Sequence, residues 1–138
     1  MRIILDTNVV VSGLFFPGLP LKILNNINQG KYRTVVSQEI VDEYKRTIDK
    51  LADRFPDVIN ANTQLELIVL SSDICQPPKL IEPVCADPDD DKFIACAIAS
   101  KTKIIVSGDK HLLHVSGYKG IEVLTPRQFA EKYIRRSL

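Results

Sequence analysis

The chain is predicted to adopt an α/β fold, with a central parallel sheet of four or five strands and helices on both faces of the sheet. Short β-branched runs alternate along the sequence with longer segments whose apolar residues recur at helical spacing. Strands that alternate with helices pair in parallel through right-handed crossovers. The 138 residues, 45% of them hydrophobic and 25% charged, suffice for one globular domain, which we expect to span residues 1–138.

Four segments have the length and composition of buried strands, because they are short and rich in β-branched residues. They are residues 2–6, 33–36, 104–106 and 121–124. Apolar residues at helical spacing predict helices over residues 8–14, 20–30, 38–55, 57–70, 88–100 and 126–134. The prolines within residues 71–83 predict a long irregular connection there.

Several helix boundaries are marked by residues that favour them. Pro20 suits the first turn of a helix, and Gly30 suits the position that follows one. Ser37 is a good N-cap for the long helix that follows it. Thr125 and Pro126 combine an N-cap with a proline at the first helical position, which is typical of a helix start.

The composition excludes several classes of protein. The three cysteines form no CxxC pair and the chain has two histidines, so we expect neither a zinc site nor a disulfide scaffold. Cys96 is expected to be a small core residue in an alanine-rich helix. The net charge of +1 argues against a large nonspecific nucleic-acid footprint, although it does not exclude an enzyme that acts on nucleic acid.

No apolar run approaches the roughly 20 residues of a membrane-spanning helix, and the chain enters a strand at once without a signal-peptide pattern. We therefore expect no membrane partner and a cytoplasmic location. Basic groups such as the pair Arg135 and Arg136 are expected to be solvated surface charges.

Acidic residues are predicted to meet at one edge of the sheet. Asp6 ends the first strand, and Asp109 follows the third predicted strand, just beyond Ser107 and Gly108. Because ligands of open α/β sheets bind outside the carboxyl ends of the strands, both acids are candidates for a site. The alternative is that each caps the helix that follows it, which is a favoured role for aspartate.

The long helix presents a third acid at the boundary of its apolar face. On a helical wheel of about 100° per residue, Asp42 points away from the apolar stripe, whereas Glu43 flanks it beside Ile40. A carboxylate at the boundary of the core is costly without a partner, so Glu43 is the candidate. A surface ion pair between Glu43 and Arg46 is the alternative.

The segment from Asp87 to Asp91 supplies the fourth acid. It is typical of a helix start, with Asp87 as the N-cap and acids in the positive first turn. On the wheel, Asp90 falls on the bulky apolar face and Asp91 at its edge, whereas Asp89 and Lys92 turn away. We prefer Asp90 as the functional residue and keep Asp91 as the alternative.

Converging carboxylates without basic partners raise each other's pKa, and a divalent cation removes that conflict. Oxygen-only ligands suit Mg²⁺ or Mn²⁺ rather than zinc, and such sites commonly act on phosphates. The sequence therefore predicts a site for one or two hard metal ions at this edge of the sheet.

The acidic segments, taken in order, also resemble a known family. ILDTN stands at residues 4–8, SQEIVDE at 37–43, DPDDDKF at 87–93 with ACA at 95–97, and VSGDKHLL at 106–113. Together with residues 121–129, this ordered set resembles the PIN-domain proteins, and most of all the prokaryotic toxins of toxin–antitoxin pairs. The resemblance spans essentially the whole chain and implies a three-layer α/β/α PIN-like fold.

The resemblance also implies a function, namely a Mg²⁺- or Mn²⁺-dependent ribonuclease. It places catalysis and metal binding at Asp6, Glu43, Asp90 and Asp109, and it matches Asn8 and Ser107 to polar positions beside them. The implied partners are an RNA substrate, a small antitoxin protein and a second copy of the chain. Apolar residues that could form the contact are Leu14, Phe15, Phe16 and Leu19.

Two other functions remain as alternatives. A phosphatase with Asp6 as its covalent nucleophile would need a second aspartate two residues later, where this chain has Asn8. A degenerate PIN domain would act as a module that binds RNA or protein. The presence of all four acids argues against that loss of activity.

Overall fold

The computed structural model describes residues 1–80 and 82–134. Arg135 and Arg136, which were expected to be surface charges, therefore lie outside the described residues. Within the described part of the chain, no single helix is long and apolar enough to cross a membrane. The first two helices meet that test by length and composition when taken together, as a pair bent by 93°.

The described residues form a parallel sheet of five strands in the order β3-β2-β1-β4-β5. Helices flank this sheet in a three-layer α/β/α arrangement, which confirms the predicted fold class. The strands are β1 (Arg2–Leu5), β2 (Arg33–Val36), β3 (Asp73–Ile74), β4 (Ile104–Val106) and β5 (Glu122–Leu124).

The α-helices are α1 (Thr7–Phe15), α2 (Leu19–Asn28), α3 (Gln38–Arg54), α4 (Ala61–Leu70), α5 (Asp91–Ser100), α6 (Lys110–His114) and α7 (Pro126–Phe129). Single 3₁₀ turns cover Pro88–Asp90 and Tyr118–Gly120, and a π-helical turn at Ala130–Ile134 continues α7. The predicted caps of α3 and α7 are confirmed, because Ser37 accepts a hydrogen bond from Ile40 N and Thr125 forms a complete capping box with Gln128.

Several details differ from the sequence prediction. The segment predicted to be irregular over residues 71–83 begins with the two residues of β3, which are too few to show a periodic pattern. Helix α4 begins at Ala61 rather than at residue 57, and α6 was not predicted because five residues carry little periodicity. The helix predicted over residues 88–100 opens with a 3₁₀ turn, since Pro88 suits the tight first turn after Asp87.

The core packs α3 and α5 close to the carboxyl end of β1. Ile40, Tyr44 and Ile48 of α3 are fully buried at helical spacing, and the Tyr44 hydroxyl donates a hydrogen bond to the Leu5 carbonyl. Cys96 is fully buried in α5, as predicted. These contacts hold the second turn of α3, which carries Glu43, against the end of β1.

The order of the strands determines where a site can form. From β1 the chain runs outward to β2 and β3, and it then returns to β4 on the opposite side of β1. The topological switch point therefore lies between β1 and β4. In open α/β sheets, ligands bind in the crevice beyond the carboxyl ends of the strands at such a point.

Candidate metal centre

Asp6 lies at the carboxyl end of β1, beside the end of β4. Its backbone N–H donates to the Val106 carbonyl at 2.9 Å, and its side chain is 4% exposed. The Ser107 hydroxyl donates to Asp6 Oδ2 at 2.7 Å and accepts from the backbone N–H of Asp109 at 2.9 Å. Ser107 therefore joins the two aspartates that follow β1 and β4.

The surroundings of Asp6 oppose its ionisation. Burial raises the pKa of Asp6, and the nearby charges of Asp109 and Glu43 raise it further, although the hydrogen bond from Ser107 acts in the opposite direction. Asp109 and Glu43 therefore lie close enough to Asp6 for their charges to oppose its ionisation. A bound cation would relieve the conflict.

Asp109 caps the helix that follows it, which was the alternative to a role in the site. Its Oδ1 accepts from the backbone N–H of His111 at 2.8 Å, and it caps the short helix α6. The capping role and the position near the centre are compatible, because the charge of Asp109 also acts on Asp6 and Asp90. Asn8 is exposed in the first turn of α1, two residues after Asp6.

The structure distinguishes Asp90 from Asp91. Asp91 Oδ1 accepts from the backbone N–H of Cys85 at 2.7 Å, and both of its oxygens lie 3.3 Å from Val84 N. Asp91 thereby holds the preceding loop onto α5. Asp90 Oδ2, in contrast, is buried and has no hydrogen-bond partner among the described residues.

Asp90 also faces the other acids. Burial, together with the charges of Asp109, Asp6 and Asp87, raises the pKa of Asp90 to about 7, and His111 opposes this increase. An unpartnered carboxylate oxygen among like charges is costly unless it binds a proton or a cation. Asp90 is therefore the better candidate for a metal ligand, and Asp91 has a structural role.

Glu43 has a basic partner that was not expected. Its Oε1 accepts from Lys92 Nζ at 2.6 Å and its Oε2 accepts from the Thr7 hydroxyl. The prediction that Lys92 turns away was wrong, and so was the assumption that the acids lack basic partners. The helical wheel places the Lys92 Cα away from the apolar face, but the long side chain reaches back to Glu43 and is 7% exposed.

The ion pair with Lys92 replaces the predicted alternative of a pair between Glu43 and Arg46. Burial tends to lower the pKa of Lys92, but the hydrogen bond and charge of Glu43, with the charge of Asp89 at 3.4 Å, raise it instead. The raised pKa of Lys92 keeps its side chain protonated and positively charged. Thr7 and Lys92, which both donate hydrogen bonds to Glu43, are the two residues of the site that the sequence patterns did not predict.

The donor set fits a hard cation in its chemistry, although it does not form a closed cage. No three histidine, cysteine or acidic side chains within residues 1–80 and 82–134 are arranged to enclose a metal ion. Mg²⁺ commonly keeps several waters and binds through one or two carboxylates, so it does not need such a cage. A hydrated ion would relieve the cost of burying two groups, namely Asp6 and the Asp90 Oδ2 atom, which has no partner in the described part of the chain.

A cavity of about 850 Å³ opens beside the centre. Lys92 and Asp91 line one side of it, and the first residues of α3 and the proline-rich residues 76–80 line much of the rest. Asp6, Asp90 and Asp109 lie outside its lining. The cavity therefore lies beside the acidic centre and does not contain it.

Comparison with known proteins agrees with this arrangement. Residues 2–111, which include all four acids, match the family described as PIN domain. An uncharacterized protein of Methanocaldococcus jannaschii is 32% identical to this chain over 149 aligned positions, which cover 96% of this chain and 92% of that protein. No solved structure matches the chain significantly. The match over most of its length, with the acids at the carboxyl edge of the sheet, shows that the chain belongs to the PIN-domain family.

Proposed function

We propose that this protein is a metal-dependent endoribonuclease that hydrolyses phosphodiester bonds in RNA. PIN domains are generally nucleases, and the family typically uses divalent metal ions. The observation that carries the proposal is the buried Oδ2 of Asp90, which has no hydrogen-bond partner within residues 1–80 and 82–134 and lies near the charges of Asp6 and Asp109. Such an arrangement costs free energy in the absence of a cation, so it is better explained as a binding site than as a device for stability.

Asp6, Asp90 and Asp109 would hold Mg²⁺ or Mn²⁺ in this proposal. The bound ion would lower the pKa of a water molecule and stabilise negative charge on the phosphate. Ser107 fixes the orientation of Asp6 through its 2.7 Å hydrogen bond, and Asn8 is exposed where it could contact the substrate. No protein nucleophile is required, which agrees with the burial of Asp6 beneath the edge of the sheet.

Glu43 has a different environment from the three aspartates. Both of its oxygens are engaged, one by Lys92 and the other by Thr7. Glu43 would be suited to orient the attacking water or to contact a second ion only after losing one of these partners. Its place in the second turn of α3 keeps it close enough to Asp6 for its charge to add to the effect of burial, which raises the pKa of Asp6.

We also propose a toxin role, with a cytoplasmic location, a small antitoxin as partner and a homodimer as the assembly. The support is the resemblance to toxin-type PIN proteins. Of the apolar residues expected at the dimer contact, Leu14 and Phe15 are buried in the core, whereas Phe16 is 42% exposed and packs edge-on against Phe55. A search of the neighbouring genes for a small open reading frame tests the partner.

Other exposed apolar side chains are better placed for a dimer contact. Leu67 and Leu70 on α4 are 59% and 81% exposed, and Ile74 on the edge strand β3 is 66% exposed. Light scattering should show a dimer in solution, and Leu70→Lys should shift it toward monomer. A wild-type monomer at high concentration would argue against the homodimer.

The direct test of the nuclease proposal is RNA cleavage by the purified protein with Mg²⁺, with Mn²⁺ and with a chelator. We expect internal cleavage of single-stranded RNA that depends on added metal. Asp90→Asn should lose cleavage by about two orders of magnitude or more, because a ligand oxygen and its charge are removed together. Asp49→Asn on the exposed side of α3 is the matched control and should retain activity. Cleavage that persists in the chelator would contradict the proposal.

A further inference from the structure

Lys92 reaches the acidic centre through Glu43, with which its ammonium forms an ion pair. It is the second residue of α5, two positions after Asp90, and its side chain is 7% exposed. Its ammonium lies 2.6 Å from Glu43 Oε1 and 3.4 Å from Asp89 Oδ1. A buried ammonium is costly unless it is paired, so this cation is held in place by the carboxylates around it.

The two sides of the centre differ in whether their oxygens are satisfied. On the Glu43 side, one carboxylate oxygen accepts from Lys92 and the other from Thr7. On the opposite side, Asp90 Oδ2 is buried without a partner among the described residues. A cation is therefore already present at Glu43, whereas the surroundings of Asp90 need one.

The count of charges also indicates that a cation is needed at the aspartates and not at Glu43. Asp6, Glu43, Asp90 and Asp109 carry four negative charges when all are ionised, and Lys92 compensates one of them. One divalent ion compensates two of the remaining three. A second divalent ion at Glu43 would lie within a few ångströms of the ammonium, and repulsion over such distances costs several kcal/mol in a poorly solvated site.

We propose that the Lys92 ammonium takes the place of a second metal ion at Glu43, so that the centre binds one divalent ion, at the aspartates. The inference deepens the proposed function by fixing the number of ions and the role of Lys92 as a positioning residue. It rests on the proposed metal site, but it does not depend on the substrate. Removal of Lys92 should open Glu43 to a second ion.

The test is a titration with Mn²⁺, without RNA, in which electron paramagnetic resonance counts the bound ions. Wild-type protein should bind one ion. Lys92→Met should bind two, and Lys92→Arg, which keeps the charge, should bind one. Lys45→Met, at an exposed lysine of α3, is the matched control and should also bind one.

A double variant keeps the inference falsifiable if Lys92→Met alone does not fold with Glu43 left unpaired. Lys92→Met with Glu43→Gln removes both partners and keeps their summed charge at zero, so it should fold. It should bind one ion with an affinity within about threefold of wild type, because Glu43 is not a ligand of that ion. A loss of about tenfold or more in the double variant, or two ions or none in the wild type, would overturn the inference. Wild-type protein that binds one ion but does not cleave RNA would refute the proposed function and leave this inference standing.

Discussion

At the scale of single residues, neighbouring aspartates have opposite roles because their oxygens face different surroundings. Asp91 accepts backbone N–H groups from Val84 and Cys85, so its charge is satisfied by the chain itself. Asp90 has a buried oxygen without a partner in the described part of the chain, and its pKa is about 7. The sequence favoured Asp90 by its position on the wheel, but the hydrogen bonds of Asp91 come from a loop whose path no periodic pattern reveals.

Asp90→Asn should stabilise the metal-free protein at high pH. The pKa of Asp90 rises from 3.8 to about 7 in the folded state, so its ionisation weakens folding as the pH rises through that interval. The full value of about 1.4 kcal/mol per pKa unit is reduced by solvent screening, and we expect a gain of about 1 kcal/mol at pH 8. Urea denaturation in a chelator should show this gain shrinking to nothing near pH 4. A gain that is equal at both pH values would contradict the assignment.

Asp91→Asn should have the opposite effect on stability. The amide retains one acceptor but loses the charge that strengthens the hydrogen bonds from Val84 and Cys85. We expect a loss of about 1–2 kcal/mol in the free energy of unfolding, measured by the same denaturation at pH 8. Cleavage of RNA should be affected less than in Asp90→Asn. Equal loss of cleavage in both variants would show that the two residues share the function.

At the scale of elements, the site depends on how β1, β4, α3 and α5 meet. The interior strands were predictable because β-branched residues fill them, and α3 was predictable because its apolar stripe spans the whole helix. The edge strand β3 was not predictable, since it has two residues and opens with Asp73, a residue that disfavours strands. Its position is determined by pairing with β2.

Tyr44→Phe tests the contact that joins α3 to β1. The variant loses the hydrogen bond from the buried Tyr44 hydroxyl to the Leu5 carbonyl but keeps the ring in the core. We expect the free energy of unfolding to fall by about 1–2 kcal/mol. Cleavage should fall as well, because Glu43 and Asp6 are then held less firmly relative to each other. A variant with reduced stability and full activity would show that this contact serves the fold alone.

At the scale of the whole molecule, the strand order brings together acids that are far apart in the sequence. Asp6 and Asp109 were predictable as neighbours from the alternation of strands and helices, because both follow strands that flank the switch point. Lys92 was not predictable in this way, since its role depends on the path of a long side chain across the gap between α5 and α3. The net charge of +1 thus conceals a centre in which acids outnumber bases.

The central claim is that the acids at the switch point bind metal for RNA cleavage, and Asp6→Asn tests it most directly. The variant keeps the shape of the side chain and can still accept the hydrogen bond from Ser107, but it removes one charge from the centre. Cleavage and melting temperature should be measured on the same purified protein with Mn²⁺ and with a chelator. We expect cleavage to fall by about two orders of magnitude or more, while the melting temperature in the chelator stays equal or rises because repulsion with Asp109 and Glu43 is relieved. Nearly full metal-dependent cleavage with a lowered melting temperature would contradict the account and show that Asp6 serves the fold.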